Sequence, residues 1–219
     1  GQSWRQQMTA PVLMLASSRE GEERSWLEAW QAFIKQQPDV QVHWLIVPRH
    51  PQRVTEVESL LHSGGLRVSR RSTWGQEGPS LGSDSSAEAT HPTTVVLLGD
   101  SLGEMALYYS LADVALLGGS FEKLGGQNLI EAAACACPIV MGPHTFNFSE
   151  ASEAAQTSGA AQRAANMAEA VRLALETVQN KQVQQMRAHH AAQFAQQHGG
   201  ATARTVLAVQ ELLNSIRGD

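Results

Sequence analysis

A phosphate-and-ribose chemistry is the first that the residue types and spacing offer. Gly125-Gly126-Gln127-Asn128 stands before an apolar stretch with helical spacing, and Glu131 follows three residues later. A glycine-rich turn that opens a helix presents free N–H groups and partial positive charge, which suit a phosphate. Glycines let the backbone approach such an anion without a Cβ in the way. A carboxylate at Glu131, one turn into the expected helix, can accept from both hydroxyls of a ribose. A plain turn followed by an acid that favours the helix dipole is the competing reading. Arg49 lies between Pro48 and Pro51, a stiff frame from which a guanidinium can grip a phosphate two-pronged; otherwise it is a solvated surface arginine. His50 reads as a hydrogen-bonded structural residue. Ser101 and Glu104 have the spacing of a capping box with Ser101 as N-cap, while the main chain of Leu102–Glu104 can read a base edge. His144 reads either as a site histidine or as a residue that orders its loop.

Other chemistries find no footing. There is no Asp-x-Asp pair or His/Asp cluster for a metal, no Ser–His–Asp order, and no Gly-x-Gly-x-x-Gly fingerprint; no metal and no cofactor is expected. The two cysteines, Cys135 and Cys137, have neither metal nor disulfide spacing and read as buried free thiols. His189, His190 and His198 sit in polar helical sequence and are expected to face solvent. A net charge of −5 over 219 residues excludes a basic nucleic-acid footprint, so no nucleic-acid partner is expected. With 42% hydrophobic and 17% charged residues the chain can pack a core. No apolar run is long enough to cross a membrane.

The elements that must position these residues alternate. Apolar runs at Val12–Ala16, Val40–Val47, Leu66–Arg70, Thr94–Leu98, Asp113–Leu117 and Pro138–Met141 read as strands. Helices are expected over Glu22–Gln37, Arg53–His62, Gly103–Ser110, Leu129–Ala136, Ser149–Thr157, Met167–Gln179 and Val183–Ile216, the last interrupted at Gly199-Gly200. Gly75–Pro92 is rich in Gly, Ser, Pro and Thr and reads as a mobile surface loop. Unbroken apolar strands alternating with helices predict a Rossmann-like parallel sheet with helices on both faces. Ligands of such sheets bind outside the carboxyl ends of the strands. The residues that follow the strands there are small, hydroxyl-bearing or charged.

Six segments then carry a resemblance. ASSREGEE (Ala16–Glu23), VPRHP (Val47–Pro51), GDSLGE (Gly99–Glu104), LGGS (Leu117–Ser120), GGQNLIE (Gly125–Glu131) and MGPHTFNF (Met141–Phe148) occur in one order. Together they resemble the C-terminal half of 3-deoxy-D-manno-octulosonic acid (Kdo) transferases. The resemblance implies one half of a two-domain, inverting, metal-independent GT-B glycosyltransferase that takes Kdo from CMP-Kdo to a lipid A precursor. By motif, Pro48 and Arg49 would contact CMP. Leu102, Gly103 and Glu104 would line the cytosine pocket. Asn128, Leu129, Ile130 and Glu131 would hold phosphate and ribose, with Ser17, Ser18, Gly119, Ser120 and Gly126 completing the set. Departures exist. Gln127 stands where the family often has His, Leu129-Ile130 replace Pro-Leu, and Ser17-Ser18-Arg19 stands for Ser-Thr-His.

The polar start, Gly1–Gln7, lacks an initiator Met and reads as a boundary within a longer protein. Residues 1–219 are therefore expected to be the C-terminal CMP-Kdo-binding domain, with C-terminal helices over about 166–216. The acceptor site, general base and membrane association would lie in an N-terminal domain outside this chain. The resemblance places the full-length protein at the cytoplasmic face of a bacterial inner membrane, and the fragment is expected to be soluble. Two other readings stay open: the donor half of a GT-B transferase using a UDP-sugar, and a non-catalytic flavodoxin-like binding module.

Overall fold

The computed structural model describes residues 2–79 and 95–198. Among these residues there are seven strands: β1 (Val12–Ser18), β2 (His43–Pro48), β3 (Arg67–Arg70), β4 (Val95–Leu98), β5 (Val114–Leu117), β6 (Ile139–Met141) and β7 (Ala161–Arg163). Eight α-helices flank them: α1 (Gln2–Gln7), α2 (Glu22–Gln36), α3 (Val54–Ser63), α4 (Met105–Leu111), α5 (Ile130–Ala134), α6 (Ser149–Thr157), α7 (Met167–Gln179) and α8 (Lys181–His198). The strands form one sheet in the order β3-β4-β2-β1-β5-β6-β7, and each neighbouring pair is parallel. This is the Rossmann-like arrangement that the strand and helix patterns predict.

The unbroken apolar strands have a direct cause. Successive side chains on a strand point to opposite faces, and both faces here are covered. Val12, Met14 and Ala16 of β1 enter a core with Tyr108 of α4, Ala132 of α5 and Phe194 of α8. Leu13 and Leu15 enter the other, with Trp26 and Trp30 of α2, Leu61 of α3 and Val171 of α7. Trp26 and Trp30 meet Trp44 of β2 edge to face, with ring centres 5.1 and 5.7 Å apart. Such pairs contribute about 0.5–1.5 kcal/mol each beyond the area they bury.

Several boundaries differ from the sequence expectation. The second strand begins at His43 rather than Val40. Its partner β1 begins at Val12, paired with His43, and the His43 N–H donates to the Pro11 carbonyl at 2.8 Å, so the ladder has nothing upstream to extend along. The helix expected over Leu129–Ala136 is only the five residues of α5, because Cys135 leaves helical geometry and Ala136 turns to φ 53°. Glu131 is thus its second residue, not a turn into it. The capping box is not formed. Helix α4 starts at Met105, with Glu104 at the N-cap position and no side-chain cap, and Ser101 donates to the Glu104 carboxylate instead of capping an N–H.

Two elements have no counterpart in the sequence reading. Strand β7 carries only Ala-Gln-Arg and pairs on one side alone. Helix α1 has no apolar period and is held by tertiary contacts, among them Arg5 to Asp113 at 2.6 Å. The expected helix beyond His198, and the expected loop from residue 80 onward, lie outside the described residues. Cys137 is buried as expected but Cys135 is only half-buried; burial raises both thiols above their ordinary range. His189 is exposed, but His190 is half-buried and His198 stacks on Phe194 at 4.1 Å. No helix among the described residues is long and apolar enough to cross a membrane.

Candidate functional site

The chain reverses direction across the sheet between β1 and β5. From β1 it passes to β2 on one side, and from β5 to β6 on the other, so a crevice opens outside the carboxyl ends of β1 and β5. The backbone is pressed together here. Ser17 takes φ 52°, and the β1–β2 register slips between Ala16 and Ser18. A Cβ on Gly118, the first residue after β5, would lie 2.5 Å from the Ser17 carbonyl oxygen, so only glycine fits. Glu22, fully buried at the head of α2, ties the two loops. Its carboxylate accepts from the N–H groups of Arg19 and Gly119, each at 2.8 Å, and of Phe121 at 3.0 Å. Burial raises this carboxyl above its ordinary range, against the pull of the three donors.

Beside it Ser18 turns inward. Its hydroxyl donates to Glu23 at 2.7 Å, and the same carboxylate takes a two-pronged grip from Arg53 at 2.8 and 3.0 Å. The Ser18 side chain is fully buried in this cluster, and its carbonyl accepts from the Arg49 N–H at 2.9 Å. Pro48, the last residue of β2, is buried, whereas the Arg49 side chain is exposed beyond the strand end. His50 is half-buried, with its carbonyl accepting from the Arg53 N–H.

On the other side of the crevice Gly119, Ser120 and Gly126 are brought together. The Gly126 N–H donates to the Gly119 carbonyl at 2.7 Å, while the buried Ser120 hydroxyl donates to the Leu117 carbonyl and accepts from the Gly142 N–H at 2.7 Å. The neighbouring Gly125 sits at φ 88°, and a Cβ there would strike Asn147 at 2.2 Å. Asn128 Oδ1 accepts from the Ile130 N–H at 3.0 Å, satisfying one free donor of α5. Leu129 is fully buried, so only its main chain is available at the rim. His144 is half-buried, its N–H donating to the Ser120 carbonyl at 2.9 Å, and Arg163 braces this loop through Gly142 O and Thr145 Oγ1 at 3.1 Å each.

One cleft unites two separate predictions. Gly103, Met105, Ala106, Glu131, Ala134 and Cys135 line a volume of about 440 Å³ between α4 and α5. Gly103 belongs to the expected base pocket and Glu131 to the expected ribose contact, so the fold sets them face to face across an apolar floor. Glu131 is exposed, and it lines the cleft. Leu102, the residue before Gly103, is 78% exposed. Arg49 stands outside this cleft. A planar base fits such an apolar floor and a sugar fits its acidic edge. No group of His, Cys, Asp or Glu suited to a metal occurs among the described residues.

Glu22, Glu23, Arg53 and Arg71 were not singled out from the sequence. A signal for the first two existed. Glu22 stands four residues before Trp26, and Glu23 three, four and seven residues before Trp26, Leu27 and Trp30, hence on the buried face of α2. Arg53 and Arg71 carry no local signal.

No protein-family model matches the chain. It is 42% identical over 217 residues to the 3-deoxy-D-manno-octulosonic acid transferase of Bordetella pertussis, covering 97% of this chain and 47% of that protein. The chain therefore spans about half the length of that relative. The solved C-terminal CMP-Kdo binding domain of WaaA from Acinetobacter baumannii aligns with 26% identity and a TM-score of 0.72, covering 90% of this chain and 100% of that domain. Anabaena HepE, solved with UDP and glucose, shares the fold at 16% identity and a TM-score of 0.61, over 98% of this chain and 52% of the other. The seven-stranded sheet matches the C-terminal domains of GT-B glycosyltransferases.

Proposed function

The chain belongs to the 3-deoxy-D-manno-octulosonic acid transferase family, as a homologue of about half its relative's length, and from that premise we propose that it is the donor-binding domain of a glycosyltransferase. It holds CMP-Kdo, and the complete enzyme transfers Kdo from it to a lipid A precursor. One observation carries this: the likeness extends over the whole of a CMP-Kdo binding domain at 26% identity.

In this reading cytosine lies in the cleft against Gly103, Met105 and Ala106, read by the main chain of Leu102–Glu104, and Glu131 accepts from the ribose hydroxyls. The phosphate meets the main-chain N–H groups of Asn128 and Leu129, the Ile130 N–H being held by Asn128 Oδ1, and the guanidinium of Arg49 from the end of β2. Gly119, Ser120 and Gly126 contribute backbone, while Ser17, Ser18 and Pro48 shape the opposite wall. As the sugar leaves, negative charge stays on CMP, and donors already aimed at the phosphate stabilise it. The acceptor site, the general base and membrane association at the bacterial inner membrane belong to the rest of such a transferase. This chain contributes the donor-binding part.

Calorimetric titration with CMP and UMP tests the proposal. CMP should bind and UMP should bind more weakly. Glu131→Ala and Arg49→Ala each remove charged hydrogen bonds, which corresponds to a loss of about 10- to 100-fold in affinity. Both side chains are exposed, so the urea midpoint should hardly move. A uridine preference would redirect the assignment to a UDP-sugar transferase. CMP affinity indifferent to both substitutions would refute the site.

A further inference from the structure

The loop expected to read the base is gripped from outside by residues that no motif includes. Arg71, just beyond β3, lies over two indoles, its guanidinium carbon 5.3 Å from the ring centre of Trp4 and 5.6 Å from that of Trp74. The two rings meet edge to face at 5.9 Å. The Trp4 N–H donates to Gln76 O, and the Trp74 N–H to Ser69 Oγ, so each ring is itself anchored. Arg71 Nη2 donates to Glu104 Oε1 at 2.8 Å, while its buried Nε has no partner among the described residues. The guanidinium is thus oriented by the indoles and by Glu104 together. A guanidinium over aromatic faces gains from their quadrupoles while it keeps its in-plane donors free.

Glu104 is engaged on both oxygens. Oε2 accepts from Ser101 Oγ, which also bonds the hydroxyl of the buried Tyr108. The Ser101 hydroxyl and the Arg71 charge hold the Glu104 carboxyl below its ordinary range. The next residue, Ser72, donates its N–H and its hydroxyl to Asp100 at 2.8 and 2.6 Å. Two consecutive residues therefore clamp both ends of the Asp100–Glu104 loop. Its tip, Leu102 and Gly103, stays exposed, and Gly103 lines the cleft.

We propose that Arg71 is a positioning residue for base recognition: held between Trp4 and Trp74, it occupies Glu104 as a strut and sets the main chain of Leu102–Glu104 against the base. The proposal rests on the donor-site reading above and changes one part of it, since Glu104 acts through the loop rather than by touching the nucleotide. Cytosine and uracil differ at the edge a main chain can read. Cytosine offers an amino donor where uracil offers a carbonyl, so a loop that shifts loses discrimination before it loses stacking.

The test is the CMP and UMP affinities of Arg71→Met, which keeps an apolar stem between the indoles but removes the ion pair. The expected result is about a tenfold loss in the CMP-to-UMP preference. Arg71→Lys should restore part of it. The loss in Arg71→Met with Glu104→Gln should be less than the sum of the single losses, because both cut one strut. A lower melting temperature with unchanged preference in Arg71→Met would make Arg71 merely structural and overturn the proposal. A wild-type chain without CMP affinity would sink the donor-site reading instead. Amide exchange at Leu102, Gly103 and Glu104 then decides the positioning role separately: faster exchange in Arg71→Met supports it, and unchanged exchange overturns it.

Discussion

Removing the guanidinium of Arg53 takes the charged partner from a buried carboxylate. The Glu23 side chain is 1% exposed and that of Arg53 10%. Glu23 has two partners, Ser18 at 2.7 Å and the two-pronged Arg53 at 2.8 and 3.0 Å. Arg53 has alternatives, since the exposed carboxylates of Glu20 and Glu56 lie 3.8 and 3.3 Å away. The pair is therefore asymmetric. Arg53→Met strands a carboxylate out of reach of water, which costs about 3–5 kcal/mol. Glu23→Gln leaves the arginine with other partners and costs about 1–3 kcal/mol. In the double variant the stranded charge is gone, so its loss should fall short of the sum by about 1 kcal/mol or more. Urea unfolding at pH 7.5 measures all three. An Arg53→Met cost below about 1 kcal/mol, or a strictly additive double variant, would refute the claim that this pair is buried and interdependent.

Two further outcomes follow from the geometry. Gly118→Ala puts a Cβ 2.5 Å from Ser17 O and 2.6 Å from Ala16 O, both backbone atoms, so β1 and β5 must separate; the cost should be about 2–3 kcal/mol in urea unfolding, with weakened CMP binding, and a variant as stable as wild type would show that the strands can part freely. His43 is held below its ordinary value of 6.5 by burial and then by the Arg5 charge. Between that lower value and 6.5 the unfolded chain binds more protons, so stability is full above 6.5 and declines as pH falls through the window. His43→Asn should flatten that part of the melting temperature against pH, and an unchanged slope would assign it to another group.

What could be read along the chain was what local order encodes. Apolar runs such as Leu13–Ala16 and Val114–Leu117 declare strands buried on two faces, and the 3.6-residue recurrence in Met167–Gln179 declares a helix whose ends the structure reproduces. The motif-bearing loops mark the candidate site, because Gly, Asn and Glu in fixed order show which backbone must bend and which donors stay free. Short or aperiodic elements were hidden. Strand β7 exists because β6 offers Ala161–Arg163 an open edge, and α1 because Trp4 and Arg5 find Trp74 and Asp113, partners seventy or more residues away. The roles of side chains within motifs were equally hidden. Ser18 and Ser120 look like ligand hydroxyls in sequence, yet they are satisfied internally by Glu23 and by the Leu117 carbonyl. Glu104 looks like a helix cap, yet it pairs with Arg71 across 33 positions. A hydrogen-bonding group is claimed by whichever partner burial brings within reach, and that is settled by long-range packing. The chain alone therefore determined which loops follow the carboxyl ends of the strands, and the tertiary structure decided that Gly103 and Glu131 share one cleft and which groups of those loops are already claimed by internal partners.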